Sequence, residues 1–327
     1  MALGFIDAEQ VQGVIDSTPY PDELLRIWVE KERNALRREG GALEVRDYFT
    51  AEVSEFVPHA ARGAAVWFLA HLAHFIGTSF TQCVELLDLY IERAAGSPQL
   101  LEQLPETTVA IASIVFKFRN TSTLQSFDHA FGQAERGLAQ WLEQYGHIQA
   151  AGERQARCIC DDSGSKEAVE RKVMQVLRWQ VDLPSVEMWM QAYAHRLDIV
   201  SQNLLGDCLE VIMEQGAILA AEVMNHVAVH EIWPQRLARG LICQGLHAAG
   251  ALHVDLERFS ADLPGGVPLS DGLLPASSWW GKVPQCMLPE QFREGMLELL
   301  MVALGADRGR LEQDLVLSSI AVRVKRC

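Results

Sequence analysis

The sequence predicts an all-α protein of a dozen or so short helices, broken near Pro184. Three observations predict it. Apolar residues recur at steps of three and four through most of the chain, the spacing of one helix face. Strand alternation is hard to find. Pro184 disfavours helix at Leu183 and separates two stretches of similar length and helix rhythm. Residue-level repetition between the two halves is too weak to define a repeat.

The elements follow in order. Pro21 and Asp22 open a run from Glu23 to Arg38 in which Leu25, Trp28 and Val29 form an apolar stripe, and Gly40-Gly41 ends it. Ala61, Ala64, Ala65, Phe68, Leu72 and Phe75 form a second stripe, with His71 at its edge. Phe80, Val84, Leu87 and Ile91 form a third. Thr108 to Phe118 is apolar nearly all round, which predicts a helix at the centre of a bundle. Val169, Val173, Val176 and Leu177 mark a helix that stops before Pro184. Ser185 is placed to N-cap a helix through Trp189, Met190, Tyr193 and Leu197. Leu205, Leu209, Ile212, Met213 and Leu219 carry a longer one. Pro234 suits the first position of a helix through Leu237, Leu241 and Leu246. Asp262–Pro284, rich in Gly, Pro and Ser, reads as an irregular insertion, and Phe292–Leu304 and Leu311–Val324 as terminal helices.

Composition narrows the function classes. The chain has 327 residues, 49% apolar and 22% charged, an ordinary globular balance. Its formal net charge of −15 disfavours general nucleic-acid binding and attraction to an anionic membrane surface. No uncharged apolar run approaches a membrane span, and MALGFIDAEQ lacks the basic and apolar regions of a signal peptide. Seven scattered cysteines form no disulfide framework and suggest a reducing compartment.

Signals of catalysis are absent from the sequence. No phosphate-cradling glycine loop and no nucleophile elbow occurs. His226 and His230 have zinc-compatible spacing but no further ligand at a recognisable distance, so no metal or other cofactor is expected. Cys158 and Cys160 read as incidental thiols. Four charges are better placed. Arg62 and Glu92 sit so that antiparallel packing of their helices brings them together, as a charge at a core edge requires. Lys117 ends the central helix and Glu170 lies early in the helix before Pro184. Each is where the helix dipole favours its sign, so plain dipole complementation stands beside any functional role.

At these positions the chain resembles a cyclin. Tyr90-Ile91-Glu92-Arg93 is similar to the Tyr-Ile-Asp-Arg element of the second cyclin-box helix. AIASIVFKF, Ala110–Phe118, resembles the third-helix pattern ending in Lys-Phe, and ERKVMQVLRWQVDLPS, Glu170–Ser185, the fifth-helix pattern. Arg62 fits the Arg that opens the first helix. Glu23–Arg33 resembles the helix preceding the box in A/B-type cell-cycle cyclins. The similarity runs over about residues 20–255 by helix order, and its specific motifs lie between 62 and 190. Two departures stand out. Ala61-Arg62-Gly63-Ala64-Ala65 replaces the family's Met-Arg-Ala-Ile-Leu, so the substrate-docking patch, here Ala61, Arg62 and Ala65, is degenerate. Lys117 and Glu170 are also further apart than is usual, which puts an insertion at about 132–160 that includes Trp141.

The resemblance implies a segment of residues 1–44 with a flanking helix, a cyclin box over 45–183 and a second over 184–327 with an irregular insertion at about 255–288. It implies a kinase regulator with no catalytic centre of its own, acting in cell-cycle control in the nucleus or cytoplasm. The partner would be a cyclin-dependent kinase, joined by its substrate or inhibitor proteins, with no direct nucleic acid and no membrane. Lys117 and Glu170 would hydrogen-bond the kinase, and Phe118, Met174, Trp179 and Val181 would supply apolar contact. Arg62 and Glu92 would be structural. The alternative is a cyclin-fold scaffold in transcription or peptide binding that activates no kinase.

Overall fold

The computed structural model describes residues 13–35, 59–94, 97, 99–119, 163–226, 232–253, 280–286, 288 and 295–324. Among them the structure is helical and contains no strand. The helices are α1 Asp22–Ala35, α2 His59–Ile76, α3 Phe80–Arg93, α4 Leu100–Arg119, α5 Ser163–Val176, α6 Val186–Val200, α7 Gly206–Met224, α8 Pro234–Ala248, α9 Met296–Leu304 and α10 Arg308–Val324. No helix among the described residues is long and apolar enough to cross a membrane. The chain divides into two compact units. One spans Phe49–Leu183 with Ala228–His230; the other holds Met1–Tyr48, Pro184–Val227 and Glu231–Cys327.

In the first unit α4 is the central rod, packed against α2, α3 and α5. Every residue from Thr107 to Phe116 is buried, as its all-round apolar character requires. The rod begins earlier than the apolar run alone indicates and carries Pro105 inside it. Ser79 caps α3 by accepting from the Gln82 N–H. The helix α5 ends at Val176, well short of Pro184. Its stop is made by two left-handed residues, Arg178 at φ 52° and Trp179 at φ 62°. The Trp179 N–H then reaches back to the Met174 carbonyl at 2.9 Å, closing the end of the helix.

In the second unit α8 is the corresponding rod, packed against α6, α7 and α10. Ser185 caps α6 by accepting from the Met188 N–H, and Pro234 opens α8, both as the sequence predicts. A Cβ on Gly240 would lie 2.3 Å from the Asp314 carbonyl oxygen, so only glycine lets α8 approach α10 this closely. Asp314, itself buried, accepts from Arg236 and Arg239 at 2.6 and 2.7 Å. The helix α1 belongs to this unit and is not a separate segment. It buries Leu25, Trp28, Glu32 and Ala35 as one stripe. Trp28 meets the Trp189 ring edge-on at 5.1 Å, and Arg196 binds Asp22 at the start of α1.

Glu32 is the unexpected member of that stripe. It is buried and accepts a hydrogen bond from the Trp189 indole N–H. Burial pushes its carboxyl up to about 8; the Trp189 bond, the Arg239 charge and the Gln235 backbone pull it back only in part. The folded state therefore holds a proton that the unfolded chain releases near pH 4.5. The stability that this one group contributes is fullest below pH 4.5, falls as pH rises toward about 8, and is then level, a loss on the order of 3 kcal/mol by pH 7. Glu32→Gln keeps the acceptor and removes the titration. It should raise the melting temperature by several degrees at pH 8 and leave it nearly unchanged at pH 4.5, measured by circular dichroism across that range. An equal effect at both pH values would refute the assignment.

Candidate functional site

The site is built where the end of α4 meets the middle of α5 in the first unit: α5 begins at Ser163, so Glu170 stands two turns into the helix and not early in it, and the helix dipole does not account for its placement. Lys117 and Ser113 are one turn apart on α4, so both point to the same neighbour. That neighbour is Glu170 of α5. Lys117 Nζ donates to Glu170 Oε2 at 2.7 Å and to Oε1 at 2.9 Å. Buried Ser113 donates to Oε1 at 2.6 Å from beneath. The carboxylate is thus fixed from below while the ammonium lies at the surface. Side-chain exposure is 51% for Lys117 and 14% for Glu170. An ion pair this open adds little to stability, and its atoms are available to another protein.

The apolar positions divide into two kinds. Phe118 is 50% exposed and Trp179 is 64% exposed, two of the largest apolar side chains at the described surface. Met174 is half-buried on α5, one turn beyond Glu170. Val181, also expected to supply apolar contact, is buried beneath the turn. Ala65 and Arg62 are also buried, and the Ala61 side chain lies outside the described residues.

The left-handed turn is held by α3. Arg93 donates to the Leu177 carbonyl and to Gln180 Oε1, both at 2.5 Å. Gln82 donates to the Val181 carbonyl at 3.1 Å and accepts from Arg119 at 2.5 Å. A second pair of left-handed residues, Gln202 at φ 53° and Asn203 at φ 63°, ends α6 with the same hydrogen bonds. Asn tolerates that conformation, whereas a bulky side chain there is an outlier. Trp179 therefore occupies a position that backbone preference would give to another residue, and it does so with most of its surface in solvent.

The partner of Arg62 differs from the expected one. Its guanidinium binds Asp88 bidentately, at 2.7 and 2.8 Å, with both side chains buried. Asp88 is one turn before Glu92 on α3, so the α2–α3 register delivers Arg62 a turn earlier than the Tyr-Ile-Glu-Arg match implies. The signal was present: an acid in the run Leu86-Leu87-Asp88-Leu89 on a buried helix requires a partner. Ser113 and Gln82 gave no such signal, because neutral polar residues are common on any helix.

His226 is exposed, while His230, Cys158, Cys160 and Trp141 lie outside the described residues. The described residues contain no group of three or more metal-ligating side chains. Comparison with family models, with curated proteins and with solved structures finds no match to this chain.

Breaking the buried pair separates the two registers. Asp88→Asn should lower the unfolding free energy by about 3 to 5 kcal/mol, since it removes the carboxylate charge that the buried Arg62 guanidinium bonds at two atoms. Glu92→Gln should cost less than half as much. Urea denaturation of both variants makes the comparison, and the reverse ranking would restore Glu92 as the partner.

Proposed function

We propose that this chain is a cyclin-type regulatory subunit, with two tandem cyclin boxes, that binds and activates a cyclin-dependent protein kinase and has no catalytic centre of its own. The observation that carries the reading is the Lys117–Glu170 pair: an ammonium at the end of α4 and a carboxylate on the neighbouring α5, bonded to each other, with the ammonium half open to solvent. These are the two polar groups that the cyclin resemblance assigns to the kinase interface. The exposed Phe118 and the exposed, left-handed Trp179 support it, since large aromatic side chains dominate protein interfaces and strained backbone gathers at functional sites. One buried rod per unit, α4 in one and α8 in the other, supports the tandem reading.

The mechanism follows from kinase chemistry. A protein kinase needs its Lys–Glu ion pair formed and its activation loop ordered before it transfers phosphate. A subunit that contacts the kinase preferentially in that state shifts the population toward it. Lys117 and Glu170 supply direction to the contact. Phe118, Met174 and Trp179 supply apolar area, and the unbranched Met adapts to the partner's shape.

The test is reconstitution with purified cyclin-dependent kinases, following co-elution and phosphorylation of a protein substrate. Lys117→Ala and Glu170→Ala should each weaken co-elution at least about tenfold with unchanged helix content. Trp179→Asn should weaken it similarly while raising the unfolding free energy by about 1 kcal/mol, because Asn relieves the left-handed strain. Full binding by the Lys117→Ala/Glu170→Ala double variant would overturn the proposal. Binding without activation would favour the scaffold alternative.

A further inference from the structure

Two of the cysteines that the sequence scatters are brought together in the second unit. Cys208 lies in the first turn of α7 and is buried. Cys286 is half-buried and belongs to the non-helical segment 280–286. Both are free thiols. Cys208 Sγ donates to the Pro284 carbonyl at 3.8 Å, and the Cys208 and Cys286 thiols hydrogen-bond each other. The rest of the segment is laid against α7 and α8. Buried Trp280 faces Gly216 of α7, where a Cβ would stand 3.7 Å from its ring, and its indole N–H donates to Gln244 of α8. At the end of α8, the Ala248 carbonyl accepts from Gln285 Nε2 at 2.9 Å and the Ala249 carbonyl from the Cys286 N–H at 2.8 Å. The segment is thus bonded to α8 near both of its ends. Its contact with α7 is made by apolar packing and by a thiol, a weak donor.

We propose that Cys208 and Cys286 form a reversible disulfide, made by hydrogen peroxide, that clamps segment 280–286 onto α7. Cys286, the more exposed sulfur, meets the oxidant first. It takes one oxygen atom to become a sulfenic acid, and one water leaves. The Cys208 sulfur then bonds to the Cys286 sulfur, and the Cys208 proton and the sulfenic hydroxyl leave as a second water. Two thiols have lost two electrons and two protons, and one peroxide has become two waters. Burial, and then the Cys286 contact, push the Cys208 thiol up, which makes it the poorer first nucleophile and leaves it the resolving step. Bond formation brings the two sulfurs to about 2 Å, and Cys286, outside the helices, takes up that approach without moving α7. The loop that closes, on the order of 80 residues, is long, and constraining it in the unfolded chain stabilises the folded unit. A metal fits less well, since the described residues set no third ligand beside the two thiols. The inference is independent of the kinase reading, whose residues lie in the first unit.

The test treats the full-length chain with a small excess of hydrogen peroxide, blocks the remaining thiols with iodoacetamide in denaturant, and maps the peptides by mass spectrometry. A linked Cys208–Cys286 peptide should appear, and dithiothreitol should remove it. The melting temperature followed by circular dichroism should rise by about 5 to 10 °C on oxidation and return on reduction. Cys286→Ser changes a half-buried residue outside the helices, so it should fold normally and lose both the linked peptide and the rise. In Cys208→Ser the rise should also be lost, and Cys286, without its resolving thiol, should pass on to the sulfinic acid. Recovery of Cys208 as the iodoacetamide adduct after peroxide, or a rise in melting temperature that Cys286→Ser keeps in full, would overturn the inference. A linked peptide with an unchanged melting temperature would overturn the clamp.

Discussion

Arg93 and Gln82, two side chains of α3, hold the backbone between Leu177 and Val181. Remove those donors and the Val181 carbonyl loses its side-chain partner at the edge of a core, a loss of about 1 to 3 kcal/mol for a group left buried, while the Leu177 carbonyl keeps the Gln180 N–H. The left-handed pair is closed by its own backbone bonds, as at Gln202–Asn203, and the α3 donors fix where it sits. With them it is pinned, and Trp179 is presented to solvent by a segment that cannot easily rearrange. The same segment leads to Ser185, which caps the next helix. The position of the exposed aromatic is therefore decided by polar bonds that never reach the surface themselves.

Both units use buried charge in this way. Arg62–Asp88 ties α2 to α3, and Arg236 and Arg239 share Asp314 between α8 and α10. Such pairs add less to stability than apolar residues of the same size would. Their geometric demand is stricter, because a one-turn slip leaves a charge without its counter-ion. Glu32 follows a different course. With no cation bonded to it, burial holds its proton on and the α1 stripe stays effectively neutral. The Lys117–Glu170 pair differs from all of these in being open, which is why it suits recognition better than support.

Much of this was legible in the sequence. Periodicity alone placed most of the helices and the buried rod at Thr108–Phe118, and local chemistry placed the caps at Ser185 and Pro234. Those features depend on residues within a turn or two of one another, where side-chain type and backbone preference act directly. That Lys117 and Glu170 belong together was suggested by the cyclin resemblance and not by the pattern of either helix, and the structure bonds them.

What the tertiary structure decided is which distant residues meet. The one-turn choice of Asp88 over Glu92 for Arg62 depends on how α2 and α3 slide on each other, and both acids lie on the same α3 face. The anchoring of the turn after α5 depends on α3 donors that no local pattern near Arg178 could reveal. The burial of Glu32 depends on the Trp189 indole, 157 positions along the chain. A sequence fixes the period of each helix; the register between helices is a balance of contacts summed over whole faces, and it exists only once the faces are together.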